Sequence, residues 1–229
     1  MAGFEQCLEL LSAGDLDGLQ RLLALEPECA EGRDSNGVSL VMLALYRGRP
    51  DLAQAVALKK KDLDIFEAAA LGRTDRIKQL AGDGADGDVA GRRAAVNARS
   101  GDGFTALHFA GFFGQGEAAR VLIAAGAAAD AVSANPMKVM PLHSAASARN
   151  LEAARCLLEH GAPVNARQAG GWVPAHAAAQ NGDRAMVELL LRHGADVTLK
   201  NDEGKTATAV AREKGHGEVA EMLEAAGRG

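Results

Sequence analysis

Three observations predict an all-α solenoid of stacked helix–turn–helix units: a pattern that returns every 33 to 35 residues, a scarcity of bulky aromatics, and turn residues at regular offsets. Aromatic residues make up only 3% of the 229-residue chain although 48% of it is hydrophobic, so Ala, Leu and Gly carry most of the apolar content. That composition suits thin helices packed closely through small side chains.

The repeat is read most clearly in the second half. Thr105-Ala106-Leu107-His108-Phe109-Ala110, Met140-Pro141-Leu142-His143-Ser144-Ala145 and Val173-Pro174-Ala175-His176-Ala177-Ala178 occupy one slot, with histidines 35 and then 33 residues apart. A second marker follows in each unit, Leu122 to Ala127, Leu157 to Ala162 and Leu190 to Ala195, with Gly126, Gly161 and Gly194 in register. Pro141 and Pro174 suit a first helical position, where proline loses no hydrogen bond. Gly114, Gly182 and Gly215 are placed to end the first helix of a unit in a left-handed turn. Arg149 stands where that glycine is expected, with Asn150 beside it, so this turn is either strained or shifted by one residue. Leucine and valine at helical spacing, as in Val187-Leu189-Leu190, give each hairpin an apolar stripe that it cannot bury alone.

These residues resemble the ankyrin repeat, whose T-P-L-H-x-A signature opens the first helix and whose L-L-x-x-G-A ends the second. The resemblance is strong over Gly103 to Gly227 and fainter upstream, where Gly37 to Ala44 with Gly48, and Phe66-Glu67-Ala68-Ala69 with Gly72 and Gly84-Ala85, are degenerate units. It implies a single ankyrin-repeat domain of about seven repeats including degenerate caps. The units run 1–36 (N-terminal cap), 37–61, 62–102, 103–137, 138–170, 171–203 and 204–229 (C-terminal cap). It also implies a structural role for His108, His143 and His176, each bonding the backbone of adjacent units. One repeat step of roughly 10 Å, about a helix diameter, separates them, which is too far for shared metal coordination.

A formal net charge of −5 and a pI near 5.7 supply no basic stripe for phosphate, which argues against nucleic acid. Cys7, Cys29 and Cys156 are odd in number and lack zinc-ligand spacing, so reduced thiols are expected. No apolar run approaches the roughly 20 residues that span a bilayer, and Met1 to Leu11 lacks the form of a signal peptide. A monomeric cytoplasmic protein without metal, cofactor or membrane contact is expected.

Three stretches depart from the period. Residues 86 to 102 form an enlarged connection containing Gly87, Gly91, Arg92 and Arg93, with Arg92-Arg93 read as a mobile solvated turn, and residues 131 to 138 form a short insertion. Between Leu58 and Asp64 there is no room for the usual hairpin, so the two halves are expected to pack differently. Lys59-Lys60-Lys61 reads as a solvated helix end facing the negative pole of its helix.

Function is read from aromatic placement, because four of the eight aromatics fall between Phe104 and Phe113. Phe109 follows the histidine and is assigned to the core. Phe104 lies on the hairpin before the first helix, and Phe112 and Phe113 near its end; the resemblance implies that such positions face a concave binding groove. A second reading makes Phe112 and Phe113 plugs for a gap left by the enlarged connections. Trp172 shares the hairpin slot of Phe104 and is expected to be exposed; Tyr46 shares the late-helix slot of Phe112. Arg47, Gln180 and Asn181, with Glu213 and Lys214, would form a polar rim. Large aromatics desolvated in a groove are typical binding hot spots. The expected function is a non-catalytic scaffold or adaptor that holds a protein or peptide in the concave groove. The alternative is a small-ligand binder or enzyme built on His143, His176 and the irregular connections; a pocket of converging polar groups would favour it.

Overall fold

The computed structural model describes residues 2–82 and 89–228; the Gly84-Ala85 marker and the Asp86-Gly87 start of the enlarged connection lie outside the described residues. Among the described residues the fold is all-helical and consistent with an ankyrin solenoid. Helices run in antiparallel pairs: α1 (Ala2–Ala13) with α2 (Leu16–Leu25), α3 (Leu40–Tyr46) with α4 (Pro50–Ala57), and α5 (Ile65–Ala70) with α6 (Thr74–Ala81). After a lone α7 (Val89–Val96) come α8 (Ala106–Phe112) with α9 (Gly116–Ala124) and α10 (Pro141–Ser147) with α11 (Leu151–Glu159). The last pairs are α12 (Pro174–Gln180) with α13 (Arg184–Arg192) and α14 (Ala207–Glu213) with α15 (Gly217–Ala226). First helices stack in one layer (α5, α8, α10, α12, α14) and second helices in another (α6, α9, α11, α13, α15).

Small residues let the first helices approach: Ala106, Ala110, Ala145, Ala146, Ala178 and Ala179 are all fully buried. Leucines fill the space between the layers, Leu107, Leu122, Leu142, Leu157 and Leu190 among them. Pro141 and Pro174 open their helices at the first position, and Gly114, Gly182 and Gly215 end theirs at φ 79°, 62° and 80°. Arg149 takes the same left-handed turn at φ 59°, so the strained form of that turn is the one realised. Its exposed guanidinium lies 3.6 Å from the largely buried Asp183 carboxylate, whose other oxygen caps α13.

Hairpin fingers precede several first helices, closed by the bridges Arg33 to Ser39, Arg99 to Thr105 and Lys200 to Thr206. Backbone bonds join the fingers edge to edge: the Ala134 amide donates to Gly103 O at 2.8 Å, Ala169 to Met137 O at 2.9 Å, and Asp202 to Gly170 O at 3.0 Å. The three histidines reinforce this ladder. In each, Nδ1 accepts the amide of its own helix cap, from Thr105, Met140 and Val173 at 3.2, 3.1 and 3.2 Å. The proton is therefore on Nε2, which donates to a carbonyl of the next finger, Val139 at 3.0 Å, Ala166 at 2.9 Å and Lys205 at 3.0 Å. Burial holds all three rings neutral, pushing His108 down to about 4 and lowering His143 and His176.

Two expectations are corrected. The connection after residue 88 is not a mobile loop: α7 occupies Val89–Val96, packs on α6, and is tied forward by Asn97, whose side chain donates to Gly126 O and accepts from the Ala128 amide. Arg92 and Arg93 sit within that helix. Nor is Lys60 part of a solvated helix end. Its side chain is 2% exposed, and its ammonium lies 3.0 Å from Glu31 and 3.3 Å from the fully buried Glu67. Glu67 occupies the histidine slot of its unit, where it completes a capping box with Asp64 and leaves its second oxygen to Lys60. A run of lysines reads as solvated from sequence because the buried carboxylate that claims one of them is seven residues away.

Three outcomes follow from this packing. Arg149→Gly relieves the left-handed turn by about 1 kcal/mol and raises the melting temperature by about 2 to 4 °C in a thermal scan. Lys60→Ala strands the Glu67 carboxylate and costs about 3 to 5 kcal/mol by urea titration, most of which the double variant Lys60→Met, Glu67→Met recovers. For the histidines, the unfolded chain takes up protons near pH 6.5 while the folded rings resist, so their contribution is intact above that pH and declines as pH falls from about 6.5 toward 4. Urea midpoints measured between pH 7 and 5 should fall steadily; a flat profile over that window would contradict buried neutral rings.

Candidate partner-binding groove

The turn from Leu58 to Asp64 carries no finger, and the neighbouring fingers close the space. A Cβ built on Gly101 would overlap the Asn36 carbonyl oxygen, so the 99–105 finger touches the 33–39 finger directly and only glycine fits. Across the same gap Tyr46, at the end of α3, donates its hydroxyl to Asp102, which also accepts from Ser100. Burial and then this bond push the phenol well above its usual range. The Tyr46 ring lies 6.4 Å from Phe109 and 6.1 Å from Phe113, reaching over the alanines of α5.

Phe109 is the hub. It is 3% exposed and meets Phe66 and Phe104 edge-on at 6.1 and 5.6 Å, with Phe113 stacked at 6.4 Å. Over this floor opens an apolar cavity of about 360 Å³, walled by Tyr46, Phe104, Phe112, Met137 and Val139 and bounded by His143, Ser144, Ser147 and Gln168. Tyr46, Phe112 and Met137 remain 42%, 49% and 50% exposed, a concentration of apolar surface around one opening.

Ser147 and Gln168 also border a second, polar slot of about 270 Å³, completed by Trp172, Ala177, Gln180 and Asn181. The two cavities share these residues and so form one groove. Trp172 is half-buried rather than exposed, its ring 5.5 Å from His176. The Asn181 amide donates to Ala146 O and Ser147 O, so its role is partly to join α12 to α10.

The sequence-predicted residues divide accordingly. Tyr46, Phe104 and Phe112 line the apolar cavity; Trp172, Gln180 and Asn181 line the polar slot; Arg47 is exposed, with its guanidinium on Leu43 O. Phe113 is half-buried and lines neither cavity, whereas Phe112 is exposed and lines the apolar one. Sequence reasoning missed Met137, Val139, Ser147 and Gln168. A methionine in the 131–138 insertion was the available signal; the seryl and glutaminyl positions carry none.

None of the three ladder histidines keeps a free ring nitrogen, because each pair of nitrogens is taken by backbone partners. A further depression of about 570 Å³ lies between α7 and the finger bases, where Asn97 is engaged with the 126–128 backbone and Thr105 with His108 at 2.8 Å. No helix among the described residues is long and apolar enough to cross a membrane.

A family model described as ankyrin repeats (many copies) matches residues 65–123 and 142–191, which span α5 to α9 and α10 to α13. No curated protein matches the chain. Ankyrin repeats are in general protein–protein interaction modules and in general non-catalytic. With paired helices, edge-bonded fingers and a histidine ladder matching that family pattern, the chain is an ankyrin-repeat protein.

Proposed function

We propose that this protein is a non-catalytic scaffold or adaptor that holds a protein or peptide segment in the groove formed by its first helices and fingers. The observation that carries the reading is the clustering of half-exposed Tyr46, Phe112 and Met137 around one apolar cavity over a rigid aromatic floor. An aromatic anchor in a pocket that excludes water is the usual centre of binding energy. The polar slot beyond it offers Ser147, Gln168 and Gln180 to the main chain of a bound segment. Three unpaired, buried thiols fit a reducing, cytoplasmic setting. The enzyme or small-ligand alternative has little support, since His143 and His176 have no base to offer and the apolar cavity that His143 borders is walled mainly by apolar side chains.

The test compares wild type with Phe112→Ala, Met137→Ala and, as a surface control outside the groove, Leu25→Ala, whose side chain is 82% exposed. In affinity capture from the source lysate, a specific protein retained by wild type and by the control should be lost by the groove variant. Affinity for that partner should fall about 30-fold or more, as for a hot-spot truncation, while the melting temperature moves by about 2 °C or less. Equal capture by all three would move the interface off the groove.

A further inference from the structure

We propose that the apolar cavity takes a bulky apolar side chain from a peptide segment whose flanking residues are acidic. The inference rests on the groove reading above and adds the charge of the partner. Within the cavity wall there is no Lys, Arg, Asp or Glu, so the anchor itself is uncharged. The charged residues next in the chain to wall residues are Arg47, beside Tyr46, Lys138, between Met137 and Val139, and Arg167, beside Gln168, and all three are cationic. Arg47 and Lys138 are exposed and make no ion pair among the described residues, whereas Arg167 lies 3.5 Å from Asp202. Other cations of the stack are held by carboxylates, among them Arg33 with Asp64, Arg120 with Glu117 and Glu152, and Lys205 with Glu203 and Glu213. The nearest carboxylate to the cavity, Asp102, is occupied by the hydroxyls of Tyr46 and Ser100.

A chain with a formal charge of −5 thus carries two exposed cations, without an ion pair among the described residues, directly beside wall residues of this apolar opening in the chain. An apolar anchor with neutral or basic flanks would leave them unanswered, and basic flanks would be repelled. Acidic flanks bring opposite charge to these two cations, which favours encounter and selects the segment that carries it.

The experiment is selection of a displayed library of random 12-residue peptides on the intact protein, followed by fluorescence anisotropy with the fluorescein-labelled consensus peptide. The expected result is one Trp, Phe, Leu or Met flanked within about three positions by Asp or Glu, as the spacing of a peptide across such an opening allows. Binding of that peptide should be lost in Phe112→Ala, should weaken about tenfold in Arg47→Glu, Lys138→Glu, as two exposed charge pairs are reversed, and should weaken with added salt. An apolar consensus without acidic enrichment, unaffected by the charge reversal, would overturn the acidic partner and leave the groove reading standing. Enrichment of Lys or Arg beside the anchor would overturn it as well. If no enriched peptide depends on Phe112, the groove reading fails and this inference fails with it.

Discussion

The two fingers at 33–39 and 99–105 meet because the turn between α4 and α5 is too short to place a third finger between them. Everything distinctive about the groove descends from that constraint. With the intervening finger missing, Asp102 comes within reach of Tyr46, and the phenol lies over Phe109 and Phe113 rather than in solvent. α5 supplies only Ala68, Ala69 and Ala70 along this stretch, so nothing bulky separates the rings of α3 from those of α8. The cavity floor is therefore made by side chains from three successive units, Tyr46 of α3, Phe66 of α5 and Phe109 of α8. A floor of that kind is fixed by the stack as a whole and not by one hairpin, which is the preorganisation that a binding pocket needs.

The same logic explains why the histidine slot holds different residues along the chain. A histidine is useful where a following finger presents a carbonyl to Nε2, as after α8, α10 and α12. In α14 the slot holds Ala209, which has no ring to bond a finger. In α3 it holds Met42, buried at 5% exposure, and the unit that follows is the one without a finger. Glu67 of α5 turns the bond backwards, holding Lys60 of the preceding unit in a buried ion pair. Coupling between neighbours is thus retained throughout, by different chemistry, and nearest-neighbour coupling is what stabilises a solenoid.

Much of this was legible from local signals. Helix starts at Pro141 and Pro174, the glycine turns, the irregular turn at Arg149 and the missing finger all follow from residues acting within one or two turns of themselves, whereas the bonded histidines were implied by the family resemblance, their carbonyl partners lying 23 to 31 residues away. What was not legible depended on distant partners. The burial of Lys60 needs Glu67, the half-burial of Trp172 needs the His176 ring, and the helix at Val89–Val96 has a weak local preference, with Gly91 in its middle, and owes its place to α6 and the 126–128 backbone. Met137 was passed over because an insertion gives no register from which to infer which way its side chain faces.

Stability and recognition occupy different columns of the stack. The late-helix slot reads Tyr46, Leu71, Phe112, Ser147, Gln180 and Glu213 from α3 to α14, apolar at one end and charged at the far one, and all but the half-buried Leu71 are exposed. The buried slot beside it, Leu107, Leu142 and Ala175, stays apolar from α8 to α12. Substitution in the first column changes what the surface offers without removing a core contact, so a sequence can vary there freely. Tyr46 is the exception: half of its ring surface belongs to the floor and its hydroxyl to Asp102, so it carries fold and groove at once. It sits where the finger is missing because there alone a groove-facing side chain has to close a gap in the stack.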